Sequence, residues 1–208
     1  EAAARILTYE GPQRVAELME MGIVFDQLYG ETSLGREGAH SQARVLHAGG
    51  DATGGHIELT LADLARSSRI QIVEHALATR IDIDKDTGAA VGVEVLEVQG
   101  GRQMNFRGRN IILATGGAGQ LFRSTTNSEV ATGDGVALAF HAGAEIMDME
   151  FYQFHPTALN LFGAPRFLIS EAVRGEGGVL INARGEKFME RSHSWGDLAP
   201  RDIVSRAI

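Results

Sequence analysis

Apolar and polar residues follow three patterns along the chain, and each pattern predicts a different kind of element. Apolar residues at helical spacing predict helices at residues 11–21, 57–66 and 133–143. Pro12 lies in the first turn of the first helix and Gly22 just beyond its end, which are favoured positions for these two residues. Residues 29–55 are polar and spaced by glycines, and we predict a long loop there.

Strand signals are strongest in the middle of the chain. β-branched residues with turn signals on both sides predict a β-meander over residues 78–108. A continuous apolar run predicts a strand buried on both faces at residues 110–114. Residues 70–73 read as a buried strand, and residues 23–25 as a short strand. Together these elements indicate an α/β fold with some α+β character.

The organisation of the chain changes near Asp148, beyond which loops, proline and polar clusters become more frequent. We therefore predict one domain over residues 1–148 and the start of another over residues 149–208. The chain begins and ends inside helical patterns, so we expect it to be an internal piece of a longer protein.

Composition excludes several function classes. The net charge is −8 and no basic patch stands out, which argues against nucleic acid and anionic membranes as partners. The absence of cysteine excludes a disulfide framework, a thiolate metal site and a cysteine nucleophile, and is compatible with the cytosol. No apolar run approaches the roughly 18 residues of a membrane span, and no metal-ligand spacing is present.

Two glycine-containing motifs follow the last predicted strand. Residues 115–119 read Thr-Gly-Gly-Ala-Gly, a turn that lets backbone N–H groups approach a phosphate or a flavin edge but also occurs as a plain turn in α/β proteins. Farther along, Asp134 opens the third predicted helix. Its carboxylate either caps the helix or binds a cofactor hydroxyl. The usual G-x-G-x-x-G pyrophosphate loop is absent.

The last third of the chain contains side chains suited to binding a small dicarboxylate. They are His155, Ser170, Glu171, Arg174 and Arg201. Arginine can donate two parallel hydrogen bonds to the oxygens of one carboxylate, and histidine can orient a ligand. Glycine or proline beside these residues fixes the backbone. Alternatively, His155 is a structural histidine and the arginines form surface ion pairs of little energetic value.

Residues 36–41 form a second charged segment, Arg-Glu-Gly-Ala-His-Ser. The segment is either a solvated loop or a place where Glu37 presents a fixed negative charge to the ammonium group of a ligand. The residue pattern alone does not separate these two interpretations.

Taken together, the motifs resemble the flavoprotein subunits of succinate dehydrogenase and fumarate reductase and their relatives, the L-aspartate oxidases. The segments that carry the resemblance are residues 114–118, 132–135, 153–157, 171–177 and 199–202. The match as a whole covers essentially the whole chain, in order and with compatible spacing. Within this superfamily, residues 36–41 are most similar to the L-aspartate oxidases, in which the glutamate faces the amino group of the substrate.

The resemblance implies part of a two-dinucleotide-binding FAD domain with a β-meander, followed by the start of a capping domain. It implies FAD-dependent oxidation of L-aspartate to iminoaspartate in the cytoplasm, with fumarate or O₂ as the electron acceptor. The product leads to quinolinate and NAD, which makes quinolinate synthase a pathway partner. The alternatives are a succinate dehydrogenase or fumarate reductase flavoprotein subunit with an iron–sulfur partner, and a non-catalytic folded module.

The resemblance also implies roles for individual residues. Arg201 takes the place of the proton-transferring arginine. The substrate-binding places fall on Glu37, His155, Ser170, Glu171 and Arg174, and the FAD-binding places on Leu77, Ala78, Thr115, Gly116, Gly117 and Asp134. Ser170 stands where the family usually has threonine. The family's pyrophosphate loop and its second substrate-binding histidine and arginine lie outside this sequence, so we expect the chain alone to be inactive.

Overall fold

A computed structural model describes residues 1–208 as a mixed structure of helices and short sheets. The α-helices are Ala2–Glu20 (α1), Thr53–Ser67 (α2), Asp134–His141 (α3), Glu171–Gly175 (α4) and Arg201–Ala207 (α5). The strands are Gln27–Leu28 (β1), Glu31–Thr32 (β2), Leu34–Gly35 (β3), Val45–Leu46 (β4), Ala76–Ile83 (β5), Ala90–Glu97 (β6) and Gln103–Arg107 (β7). None of the helices combines the length and the apolarity that a bilayer crossing requires.

The chain divides into two compact units. Unit 1 comprises Glu1–Ile72 and Ser170–Ile208, and unit 2 comprises Val73–Ile169. The domain boundary predicted near Asp148 lies within unit 2, and it stays a prediction.

Unit 1 contains two small apolar clusters, and the second consists of buried Met189, Ala199 and Val204. In the first, Ile23, Phe25 and Ala48 are buried against side chains of α1 and α2. The strand predicted at residues 23–25 is wrong, because this segment packs its apolar side chains without pairing to a strand. The predicted loop at residues 29–55 contains two antiparallel ribbons, β1–β2 and β3–β4.

Helix α1 is longer than its apolar spacing predicts. It begins at Ala2, so Pro12 lies in its interior and the predicted first-turn position is wrong. Three consecutive alanines near its start explain the extension, because alanine has the highest intrinsic helix propensity. The end agrees with the prediction, since Gly22 follows the helix with a φ of 102°, which an L side chain rarely adopts.

Unit 2 is organised around the predicted β-meander, which the structure confirms. β5, β6 and β7 form an antiparallel sheet in that order. Ile81 on β5 pairs with Val93 on β6, and buried Ile81 and Val95 supply the apolar face of the sheet. The guanidinium of Arg80 bridges Asp82 and Glu94 across the two strands at 2.9 Å each.

Two other apolar runs do not form the predicted buried strands. Residues 70–73 and 110–114 are irregular, and Ile70 and Ile112 expose 66% and 88% of their surface. A central strand needs hydrogen-bonded neighbours on both sides, and none of the described strands lies beside either run. The apolar pattern therefore marks surfaces that this chain by itself leaves uncovered.

Candidate functional site

Helix α4 places two charged side chains in the interior of unit 1. Glu171 and Arg174 are three residues apart and therefore lie on the same face of the helix, and both are buried. The Nη1 atom of Arg174 donates hydrogen bonds to the carbonyl oxygens of Asp197 at 2.8 Å and Ala199 at 3.3 Å. Arg174 thus ties α4 to the segment that leads into α5.

Arg201 reaches the same carboxylate from α5, which begins directly after Pro200. Its Nε lies 2.9 Å from Oε1 of Glu171, and Nη2 of Arg174 lies 3.6 Å from the same oxygen. One carboxylate therefore sits between two guanidinium groups. Arg201 keeps 40% of its side chain exposed, so a ligand can reach it.

The buried guanidinium of Arg174 has spare hydrogen-bonding capacity. Its Nε and Nη2 atoms are buried and donate no hydrogen bond within the protein, although Nη2 forms the ion pair with Glu171. Buried donors normally find a hydrogen-bond partner, so these two atoms stand out. Ser170 occupies the N-cap position of α4, and its hydroxyl makes no capping hydrogen bond.

The Glu37 turn, defined here as residues 36–40, is attached to this cluster by main-chain hydrogen bonds. The N–H of Gly38 donates to the carbonyl of Glu171 at 3.3 Å, and the N–H of Ala39 donates to the carbonyl of Leu198 at 2.8 Å. Ala39 has a φ of 67°, a left-handed conformation that is uncommon for a residue with a side chain. The structure thereby brings the half-buried Glu37 into the same unit as Glu171, Arg174 and Arg201.

His155 lies in unit 2, in a turn that its own ring helps to fix. The N–H of Thr157 donates to Nδ1 of His155 at 3.2 Å, and the Thr157 hydroxyl donates to the carbonyl of Ile169 at 2.7 Å. His155 also lines a cavity of about 250 Å³, one side of which is aromatic. In that wall the centroid of the Phe122 ring lies 4.5 Å from the ring centroid of Tyr152 and 5.0 Å from that of Phe154. The role predicted for His155 stays a prediction.

The glycine turn, defined here as residues 115–117, has an open approach to its backbone. The N–H groups of Thr115, Gly116 and Gly117 donate no hydrogen bond within the protein. A Cβ atom at Gly116 or Gly117 would meet nothing within 4 Å. Exposed, unpaired donors without side chains in front of them fit the polar edge of a flavin or a phosphate, so these residues are suited to hold FAD.

Helix α3 packs directly on the glycine turn. A Cβ atom at Gly135 would lie only 1.8 Å from the hydroxyl of Thr115, and the N–H of Gly133 donates to the carbonyl of Gly117 at 3.2 Å. Gly133, with a φ of 83°, is the N-cap residue of α3, whereas Asp134 is the first helical residue and makes no capping hydrogen bond. The capping interpretation of Asp134 is therefore wrong, and its FAD contact stays a prediction.

The remaining predicted FAD contacts lie on the sheet of unit 2. Leu77 and Ala78 belong to β5, where they pair with Leu96 and Val95. Leu77 is exposed and Ala78 is half-buried. The structure leaves their role in cofactor binding as a prediction.

The sequence does not indicate the structural importance of Asp26. Its carboxylate accepts hydrogen bonds from the N–H groups of Gly49 at 2.8 Å and Gly50 at 2.9 Å. The backbone N–H groups of Gly50 and Gly49 lower the pKa of Asp26 below its ordinary value. No local pattern reveals this contact, because more than twenty residues separate the partners.

Fold and site together define a class of α/β protein whose open backbone groups are suited to a nucleotide cofactor. The FAD binding domain family matches residues 1–208. The chain therefore belongs to the FAD-binding domain family of flavoproteins, whose cofactor is FAD.

Several curated relatives share much of this sequence. The chain is 47% identical to the L-aspartate oxidase of Synechocystis sp. over 207 residues, which cover 99% of this chain and 37% of that protein. It is 45% identical to the L-aspartate oxidase of Bacillus subtilis over 203 residues, covering 96% of this chain and 37% of the relative. The chain thus spans little more than a third of the length of these relatives.

Solved structures support the same assignment. A quinol-fumarate reductase with menaquinol molecules superimposes with a TM-score of 0.86 at 30% identity and covers 95% of this chain and 36% of the reductase chain. A Mycobacterium smegmatis Sdh1 in complex with UQ1 gives a TM-score of 0.75 at 37% identity, covering 99% of this chain and 36% of the Sdh1 chain. The resemblance to this flavoprotein superfamily is confirmed.

Proposed function

We propose that this chain forms part of an FAD-dependent oxidoreductase that oxidises L-aspartate to iminoaspartate, with fumarate or O₂ as the electron acceptor. The observation that carries the proposal is the Glu37 turn, which is attached by hydrogen bonds to the cluster of Glu171, Arg174 and Arg201. Aspartate has two carboxylates and one ammonium group. A site with two guanidinium groups for the carboxylates and a separate carboxylate for the ammonium group matches that charge pattern.

The chain's own groups would hold the cofactor and orient the substrate. The open N–H donors of Thr115, Gly116 and Gly117 face the FAD, with further contacts from Leu77, Ala78 and Asp134. When FAD is bound, it supplies the redox chemistry by taking the electron pair of the substrate Cα–H bond. Arg174 and Arg201 bind the substrate carboxylates. Holding the substrate in a fixed orientation lowers the activation free energy by about 7–11 kcal/mol in well-oriented intramolecular reactions. That range is an upper limit for this site.

Arg201 is the residue proposed to move a proton. In the fumarate-reducing direction, one alkene carbon of fumarate receives a hydride. Arg201 then gives a proton to the other alkene carbon, which completes succinate. Glu171 lies 2.9 Å from the Arg201 Nε atom, within reach to return that proton. Because Arg174 contacts the same carboxylate oxygen at 3.6 Å, it fixes the position of Glu171 beside Arg201.

The second candidate is a succinate dehydrogenase or fumarate reductase flavoprotein subunit. The TM-score of 0.86 to a quinol-fumarate reductase favours it. Glu37 argues against it, because succinate and fumarate have no ammonium group and a nearby carboxylate would only repel them. With aspartate as the substrate, we place the enzyme in the cytoplasm on the route to quinolinate and NAD.

Activity of the full-length protein separates these two candidates. We expect the purified protein to carry flavin and to release hydrogen peroxide with L-aspartate but not with succinate. Turnover of succinate without turnover of aspartate, or purification with an iron–sulfur subunit, would favour the second candidate. The 208-residue chain expressed alone is expected to be inactive, and its failure to retain flavin would support the third alternative, a non-catalytic folded module.

Glu37→Gln tests the ammonium contact directly. A hydrogen bond to a charged group contributes about 1.5–3 kcal/mol, so aspartate oxidation should fall by roughly 10–100-fold. Fumarate reduction should change much less, since fumarate has no ammonium group. Glu31→Gln, an exposed glutamate on β2, is the matched control and should leave both activities unchanged. Equal losses of the two activities in Glu37→Gln would contradict the assignment.

A further inference from the structure

We infer that Gly175 is a positioning residue that gives the site its selectivity for a substrate with an amino group. This inference rests on the proposed function and deepens it. Gly175 touches no substrate. It is the last residue of α4, one position beyond Arg174, and it lies against the backbone of the Glu37 turn.

The contact between Gly175 and the Glu37 turn leaves no room for a side chain. A Cβ atom at Gly175 would lie 1.9 Å from the carbonyl oxygen of Arg36, 2.8 Å from its carbonyl carbon and 3.1 Å from the Cα of Glu37. All three atoms belong to the main chain, so no side-chain rotation can relieve the overlap. Because Cβ contacts essentially never fall below 3.0 Å, the turn or the helix must move by about 1 Å or more to admit an alanine.

The turn has little freedom to adjust within its present hydrogen bonds. Gly38 and Ala39 are bonded to Glu171 and Leu198, and Arg36 Nε donates to the carbonyl of His40 at 3.0 Å within the turn itself. A Cβ atom at Gly38 would already lie 3.3 Å from Cγ of Glu171. The turn therefore contacts α4 at two glycines, and Gly175 determines how close Glu37 comes to the helix that carries Arg174.

The helix has stronger anchors than the turn. Arg174 is buried, is bonded to the carbonyls of Asp197 and Ala199, and contacts the Glu171 carboxylate. An alanine at position 175 should therefore displace the Glu37 turn and leave Glu171 and Arg174 in place. Recognition of the ammonium group is then weakened, whereas binding of the two carboxylates persists.

Gly175→Ala in the flavin-containing full-length protein tests this inference. Since a misplacement of about 1 Å can cost roughly 100-fold in rate, aspartate oxidation should fall by about 10–100-fold. Fumarate reduction should change by less than about threefold, because the groups that catalyse it keep their anchors. The dissociation constant of succinate, followed through the flavin absorbance, should also stay within about threefold, and this readout needs no turnover.

Two glycine-to-alanine variants serve as controls. In Gly178→Ala, the Cβ atom would lie 2.6 Å from the carbonyl oxygen of Val173, so it strains the same helix without touching the Glu37 turn. This variant should not change the ratio of the two activities. Gly55→Ala lies in α2 with nothing within 4 Å and should behave like the wild type.

The possible outcomes separate the inference from the proposed function. Equal loss of aspartate oxidation and fumarate reduction in Gly175→Ala, or loss of succinate binding, would overturn the role of Gly175 and leave the proposed function intact. The same selectivity change in Gly178→Ala would also overturn it. A wild-type protein that carries flavin but does not oxidise aspartate would overturn the proposed function, and the inference with it.

Discussion

Among single residues, Glu171 is the one on which the charge balance of the site depends. Its carboxylate contacts both Arg174 and Arg201, and it lies in a buried position. Removing one partner of a buried ion pair typically costs about 3–5 kcal/mol, because the other charge is left without compensation. Substitution of Arg174 would therefore lower the stability of the protein as well as substrate binding, and the two effects could not be separated. Arg201 is partly exposed and offers a cleaner test of catalysis.

Arg201→Leu should abolish fumarate reduction in the full-length protein while FAD stays bound. Loss of a general acid typically lowers the rate by about 10²–10⁴-fold, so the residual turnover should be below roughly 1%. Steady-state fumarate reduction and the flavin-to-protein ratio check this. Arg206→Leu is the control, since Arg206 is exposed on the same helix and pairs with Asp202. Substantial turnover retained by Arg201→Leu would refute its role as the proton donor.

Among the elements, the glycine turn before α3 is the one we predict to contact the cofactor. The space in front of Gly117 is open in the protein, so an alanine there meets no protein atom within 4 Å. In the full-length protein, Gly117→Ala should leave the thermal stability of the apoprotein unchanged and lower FAD affinity by about tenfold or more, because only a bound ligand would occupy that space. Flavin fluorescence titration measures the affinity. Unchanged FAD affinity would exclude the glycine turn from the cofactor site.

The loop before α2 depends on Asp26 and should therefore respond to acid. Hydrogen bonds from Gly50 and Gly49 lower the pKa of Asp26 in the folded state, so the unfolded chain binds more protons as the pH falls. The stabilisation is complete above the ordinary aspartate pKa of about 4 and is lost as the pH falls through the lowered value. The difference in thermal unfolding between wild type and Asp26→Asn should be full at pH 6 and should shrink progressively as the pH falls below about 4. A difference that does not shrink as the pH falls would contradict this.

Local sequence signals predicted an element correctly where its hydrogen-bonding partners lie nearby in the chain. The meander is confirmed because each strand has its hydrogen-bonding neighbour close in the chain. Residues 70–73 and 110–114 do not form the predicted strands in this chain, because no neighbouring strand pairs with either run. Contacts such as Asp26 with Gly49 carry no local signal at all.

At the scale of the whole molecule, the site could be predicted only as a set of motifs. Resemblance indicated Glu37, Glu171, Arg174 and Arg201 together, and the structure places all four in unit 1 although well over a hundred residues separate the first from the others. The Glu37 turn approaches α4 closely at Gly175, where a Cβ atom would overlap the main chain of Arg36, and no pattern of residue types reveals this contact. The motifs thus identify the chemistry, and the fold shows how the charges are brought together.

The exposed apolar runs give a final prediction about the complete protein. Curated relatives are more than twice as long as this chain, and we expect the remaining chain to cover residues 70–73 and 110–114 as strand neighbours. In hydrogen-exchange measurements, the amides of residues 111–113 should exchange quickly in the 208-residue chain and be strongly protected in the full-length protein. The central strand β6 is the internal control, because both of its neighbours are present and its amides should be protected in both proteins. Equally fast exchange of residues 111–113 in both proteins would show that this apolar run is not a strand of the FAD-binding fold.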